Sequence, residues 1–225
     1  AAADVYVGGP RPDKANLVVR LRGQGKGGSI LFNAHLDVVE AVRDTWTVEP
    51  FALTEKDGYY YGRGTVDVKG EVAIIAANLI RLHREGYRPK SDIIAFFNVD
   101  EEAGGDANGV EWMLKAHPEL INAALVINHD AGKGHMLRGR RLWNTIQTAE
   151  KAYATYSLSV TGSGGHSSLP GRDNAIARLA RAVVRLDNYA FPVRLGDTTT
   201  RYLKAMTSHV EPREADAIRR ILADP

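Results

Sequence analysis

The chain has 225 residues, 44% of them apolar and 25% charged, with a formal charge of +2 and no cysteine. Those proportions are close to average for folded domains and exclude disordered or fibrous classes. Lys and Arg are interspersed with Asp and Glu, so nothing marks a nucleic-acid or anionic-membrane footprint, and without thiolates any metal must be held by His, Asp or Glu.

NLVVRL (16–21) and SILFNA (29–34) are short runs rich in β-branched and large apolar residues, the pattern of strands buried on both faces. A tyrosine-rich stretch leads to GRGTVDVKG (62–70). GEVAIIAANLIRLHREGY (70–87) repeats Val72, Ile75, Ala76, Leu79 and Ile80 at helical spacing until Gly86 stops it. DIIAFFNV (92–99) is a third buried strand, a helix is expected over Val110 to Ala116 ahead of Pro118, and AALVIN (123–128) is a fourth buried strand. Strands alternating with helices predict an α/β layer fold, a mixed and largely parallel sheet with helices on both faces.

From about Ala154 the texture changes. YSLSVTG reads as an alternating strand, GSGG as a turn, and NAIARLARAVVRLDN (174–188) as an amphipathic helix with Ile176, Leu179, Ala180 and Val183 on one face. FPVRL reads as a further strand and EPREADAIRRILADP as a final helix. The expected division is residues 1–153 as one domain and 154–225 as a small, incomplete α+β domain. No apolar run approaches the roughly 18 to 20 residues that a membrane-spanning helix needs. The start at AAADVYVGGP, without Met, reads as an internal piece of a longer protein, which leaves cytoplasmic and exported locations both open.

In an open α/β sheet ligands gather at the carboxyl ends of the strands. Here those ends carry one kind of residue. His35 and Asp37 follow the second run, Asp67 follows the tyrosine-rich stretch, Asp100, Glu101 and Glu102 follow the third buried strand, and His129 and Asp130 follow the fourth. Any one of these could be a solvated cap. Together, carboxylates so placed repel one another unless a cation sits among them, and one or two zinc ions would neutralise the group. In HLD, residues two apart in an extended segment face the same side, so Asp37 can reach the His35 ring and orient it. Two adjacent glutamates suit two tasks, one ligating metal while the other takes a proton from an activated water. Lys69 is either a further anchor or, the preferred reading, solvated. His166, in GSGGHSSLPGRDN, is either part of a structural turn or a donor to an oxyanion, with Ser167, Ser168 or Asp173 free to cap the helix beyond. His83 and His117 read as structural.

FNAHLDVV, GRGTVDVKG, NVDEEAGG, INHDAG and VTGSGGHSSLPGRDNAI, in this order over about residues 16 to 190, resemble the co-catalytic di-zinc exopeptidases and amidohydrolases of the aminoacylase, carboxypeptidase G and carboxypeptidase S family, closest to the carboxypeptidase S and N-acyl amino acid hydrolase branch. The resemblance implies a zinc exopeptidase-like fold. It makes His35 and Asp130 ligands of one zinc, Asp67 the bridge, Glu102 a ligand of the second zinc and Glu101 the general base. Asp37 would orient His35, His166 would help bind the tetrahedral intermediate, and the Asp67–Val68 peptide would be cis. It further implies two zinc ions in the full-length protein, for which cobalt or manganese could substitute, a small peptide or N-acyl amino acid substrate, and a homodimer formed through the lid domain, residues 154–225. The family's fifth ligand, a later histidine, has no counterpart here; His209 lacks its context. The expectation is therefore a metallohydrolase of peptide or N-acyl amide bonds, the alternative a non-catalytic zinc-binding or dimerisation fragment.

Overall fold

The computed structural model describes residues 3–103, 105, 107–166, 168, 169 and 174–224. They form two compact units, Ala1–Lys133 and Gly134–Pro225. This division falls earlier than the change of sequence texture at Ala154; among the described residues the strands of the 134–144 hairpin pair only with each other.

The first unit is built on strands β1 (Ala3–Arg11), β2 (Lys14–Leu21) and β3 (Ile30–His35), a small hairpin of β4 (Thr54–Lys56) and β5 (Tyr59–Tyr61), helix α1 (Lys69–Arg84), β6 (Ile93–Asn98), helices α2 (Gly109–Ala116) and α3 (Pro118–Ile121), and β7 (Leu125–Asn128). The main sheet has the order β1-β2-β6-β3-β7. β3 is parallel to both β6 and β7, whereas β2 is antiparallel to β1 and β6. The sheet is thus mixed as expected: four of its five strands point one way and β2 alone runs against them.

β6 is the central strand, and its alternate residues feed two separate cores. Ala95 and Phe97 join Leu21, Ala34, Ile75 and Leu79 beneath α1. Ile94 and Phe96 join Val18, Leu31 and Met113 beneath α2 on the opposite face. This explains the unbroken apolar run, since a strand covered on both sides has no solvent face to keep polar. α1 ends on Gly86 at φ +65°, with Gly86 N–H donating to His83 O and Tyr87 N–H to Leu82 O, the paired closure that a left-handed C′ residue permits. α2 starts at Asn108, whose side chain accepts the Glu111 N–H at 2.9 Å. His117 packs between Tyr6 and Trp112, a structural role as expected.

Two features depart from the sequence reading. β1, not foreseen, is an outer strand with Val5 and Val7 on its exposed side, and its pattern dissolves into Gly8, Gly9 and Pro10. β7 is not buried on both faces. It is the other outer strand, and Leu125, Val126 and Ile127 are all exposed, so its apolar run has cover from β3 alone.

The second unit holds the hairpin β8 (Gly134–Leu137) and β9 (Arg140–Asn144), then α4 (Ala175–Asp187), α5 (Asp197–Met206) and α6 (Pro212–Ala223). The hairpin turns through Arg138 and Gly139, both at positive φ, as a two-residue turn between twisted strands requires. Asn174 caps α4 by accepting the Ile176 and Ala177 amides. Of the caps considered from sequence, Ser167 and Asp173 lie outside the described residues. The expected strands in YSLSVTG and FPVRL do not form among the described residues. A strand needs a ladder neighbour, and Tyr156, Leu158, Phe191 and Val193 are instead exposed. On the apolar face of α4, Ile176 and Val183 are likewise exposed, at 80% and 50%.

Candidate metal centre

β3, β6 and β7 are parallel, so their carboxyl ends share one edge of the sheet. The register then determines which residues meet there. Asn33 pairs with Asn128, and His35 with Asn98. Two residues past the Asn33–Asn128 pair, β3 reaches His35 and the chain leaving β7 reaches Asp130, whose N–H is held by the Asn128 side chain at 3.1 Å. The Asp67 segment enters from the loop ahead of α1, where the Asp67–Val68 peptide is cis and Val68 is buried in the core.

His35, Asp67 and Asp130 converge, with one ligand atom from each lying within 4.8 Å of the others. His35 is 2% exposed. Its Nε2 lies 2.9 Å from Asp67 Oδ1 and 3.8 Å from Asp130 Oδ1. Its Nδ1 lies 3.0 Å from the Asp37 carbonyl oxygen. A carbonyl only accepts, so Nδ1 carries a proton and Nε2 of the neutral ring presents a lone pair to two carboxylates. Acceptors so arranged need a positive charge between them, either a second ring proton or a cation. Burial opposes a charged ring, but the Asp67 hydrogen bond, the Asp37 carbonyl and the Asp130 and Glu101 charges outweigh it and hold the His35 pKa above its ordinary value. The donor set, one imidazole nitrogen and two carboxylates, suits zinc.

The acidic turn lies alongside. Asp100 has φ +60°, is 5% exposed, and pairs with Lys14 at the start of β2 at 2.5 Å. Glu101 and Glu102 donate their backbone N–H groups to Asp37 Oδ1 and Oδ2, at 3.2 and 3.1 Å. The Asp37 carboxylate stands 3.7 Å from His35 Nδ1, so its carbonyl makes the close contact with the ring. Partial desolvation, then the Asp130 charge, raises the Glu101 pKa; His35 pulls it down, while Glu102 and Asp37 add to the rise. The side chain of Glu102 is not a member of the three-residue cluster.

Lys69, expected to be solvated, donates from Nζ to the Leu36 carbonyl and so ties the start of α1 to the His35 segment. Lys14 was also missed as a partner of the acidic turn; it is far from that turn in sequence and only the β2–β6 pairing brings it close. A cavity of about 510 Å³, whose lining includes Val38, Phe51, Leu53 and Tyr60 together with Thr65 and Lys69, adjoins the segments bearing Asp37 and Asp67. His166 belongs to the second unit, where its Nδ1 accepts the Ser168 N–H at 3.2 Å and lies 2.7 Å from Ser168 Oγ. His209 in the same unit lies against Trp143, its ring tilted by 44°.

A mixed α/β sheet that gathers a buried histidine and carboxylates at its parallel strand ends defines a candidate metalloprotein. The chain belongs to Peptidase family M20/M25/M40, whose profile matches residues 31–212. It is 34% identical over 166 residues to the N-fatty-acyl-amino acid synthase/hydrolase PM20D1 of Xenopus tropicalis, covering 73% of this chain and 32% of that protein. It is 35% identical over 175 residues to the probable carboxypeptidase S-like 2 of Dictyostelium discoideum, covering 75% and 34%. Among solved structures, human carnosine dipeptidase 1 aligns over 57% of this chain and 29% of its own, at 27% identity and a TM-score of 0.48. The chain thus spans about a third of the length of these curated relatives. Among the described residues no helix is long and apolar enough to cross a membrane.

Proposed function

We propose that the protein is a zinc-dependent hydrolase of peptide or N-acyl amino acid amide bonds, with residues 1–153 as its metal-binding catalytic part and 154–225 as part of a lid. The observation that carries this reading is the convergence of His35, Asp67 and Asp130, with the His35 proton on Nδ1 and its Nε2 facing the two carboxylates. His35, Asp67 and Asp130 would hold zinc, and Glu102 would contribute one ligand to a second position. When bound, zinc supplies a Lewis acid that lowers the pKa of a coordinated water toward 7.

Glu101 is the general base in this reading. Its raised pKa suits a group that must take a proton from the attacking water and return it to the leaving amine. His166 would donate from Nε2 to the oxygen that gains charge, because Nδ1 is occupied as an acceptor. The apolar cavity beside Asp37 and Asp67 supports a substrate with an apolar group next to the cleaved amide.

The test is Glu101→Gln in the protein, assayed on N-acyl amino acids and dipeptides with zinc content measured in parallel. Turnover should vanish while zinc remains; loss of both, or of neither, refutes the role. A second reading, a non-catalytic protein binding one ion, is favoured by the three-residue cluster, which suffices for one ion and not two. Two tightly held zinc ions per chain would reject it.

A further inference from the structure

We infer that Asp37 is the positioning residue of the acidic turn, its carboxylate fixing the backbone at Glu101 and Glu102 while its carbonyl, rather than its carboxylate, orients His35. This rests on the reading of Glu101 and Glu102 as base and ligand. Sequence spacing assigned the carboxylate to the His35 ring, but the geometry divides the labour within one residue. The carbonyl oxygen is 3.0 Å from Nδ1 and the nearer carboxylate oxygen 3.7 Å. Each carboxylate oxygen instead accepts one amide, from Glu101 at 3.2 Å and Glu102 at 3.1 Å.

Two successive N–H groups converging on one anion form a backbone nest, a concavity that favours negative charge. Asp100 just before them is left-handed, which turns both amides to the same side. The two hydrogen bonds join residues 64 and 65 positions apart, so they bind the segment after β3 to the segment after β6. Lys14 on Asp100 holds the turn from the β2 side, and the Asp37 carboxylate holds it from the β3 side. Where Glu101 points is then set by a pinned main chain, the preorganisation a general base requires, since a displacement of about 1 Å can reduce a rate by roughly 10²-fold.

Asp37→Asn separates the two roles. Asparagine keeps the carbonyl that faces His35 but offers one acceptor and one NH₂ where the two amides need two acceptors. In the protein free of metal and substrate, we expect amide exchange at Glu101 or Glu102 to quicken about tenfold or more, while ¹⁵N shifts of His35 continue to show a proton on Nδ1. With zinc and substrate, kcat should fall about 10²-fold with little change in KM. In the unmutated protein, couplings across the hydrogen bonds from both amides to the Asp37 carboxyl carbon test the clamp directly, even if the variant folds poorly. Unchanged amide exchange together with a loss of the Nδ1 proton, or the absence of those couplings, overturns the inference. The exchange and coupling readouts need no turnover, so they can hold if the hydrolase reading fails. Conversely, Glu101→Gln could abolish turnover in a protein whose Asp37 clamp is disproved.

Discussion

Gly109→Ala tests the sheet-to-helix joint that delivers the acidic turn. Propensity alone predicts a gain, because alanine is favoured over glycine in a helix by up to about 1 kcal/mol. The local geometry predicts the opposite. Asn16, fully buried, donates from Nδ2 to Gly109 O at 3.1 Å and accepts Val99 N–H on Oδ1 at 3.2 Å, while Gly109 N–H donates to Val99 O at 2.8 Å. A Cβ at position 109 would lie 2.1 Å from Asn16 Oδ1 and 2.8 and 2.9 Å from Val99 N and O. The asparagine must leave, stranding buried polar groups at about 1 to 3 kcal/mol each. With two hydrogen bonds lost and the propensity gain subtracted, the substitution should destabilise the chain by about 1 to 5 kcal/mol. Urea unfolding with an unchanged m-value would measure it. In an Asn16→Ala background, where the nearest clashing atom is gone, Gly109→Ala should cost about half as much, giving a clear coupling energy. A stabilised Gly109→Ala protein, or a change below about 0.5 kcal/mol, would refute the reasoning.

Three other outcomes follow from the same structure. Asp92 accepts the Gly23 amide at 2.8 Å and Arg20 at 2.9 Å, and these, the amide first, lower its pKa. A carboxylate whose folded pKa is depressed contributes stability above its unfolded pKa, near 4, and loses it as pH falls through the folded value. Asp92→Asn should therefore cost about 1 to 2 kcal/mol at pH 7 and flatten the decline of stability below about pH 4, as read by denaturant titration at several pH values; an equally steep decline would remove Asp92 as its source. Lys14→Met strands the buried Asp100 carboxylate and should destabilise by about 2 to 4 kcal/mol in the same assay, with Asp100→Asn added to it recovering more than half, since asparagine tolerates the left-handed backbone there; no recovery would point to lost packing instead. Ser168→Ala should leave the His166 ring proton on Nε2, because the Ser168 amide still donates to Nδ1, as ¹⁵N ring shifts would show; a proton that moves to Nδ1 in that variant would place the hold on the ring in the Ser168 hydroxyl instead.

What could be read from sequence divides along a physical line. β6 and α1 were legible because each is covered by its own neighbours, so burial wrote itself into runs and 3.6-residue spacing. The strand-end residues His35, Asp67 and Asp130 were legible as a group because parallel strands put their carboxyl ends together, and Asp67 leads directly into the helix that packs on them. β1 was not, since an outer strand needs little apolar pattern and ends in glycines. One of these, Gly9, is required because a Cβ there would lie 1.8 Å from the Lys14 carbonyl oxygen. The apolar strings at β7, YSLSVTG and FPVRL promised burial that the described residues do not supply, because such patterns record what a segment prefers, not whether a neighbour is at hand. The roles of Lys14, Lys69 and the Asp37 carboxylate depend on partners 86, 33 and 64 residues away, a relation no local window contains.

The outer position of β7 bears on how long a cation could stay. Asp130 is carried by the strand with the least support in the sheet, one that is four residues long, exposed throughout and hydrogen-bonded along one edge only. His35 sits on a strand flanked on both sides. Peeling of β7 from β3 would withdraw Asp130 while His35 and Asp67 stayed in place, so the dwell time of a bound ion would follow the opening rate of this strand. By the same linkage a bound ion would splint β7 to the sheet, making this short outer strand the one that gains most from the metal.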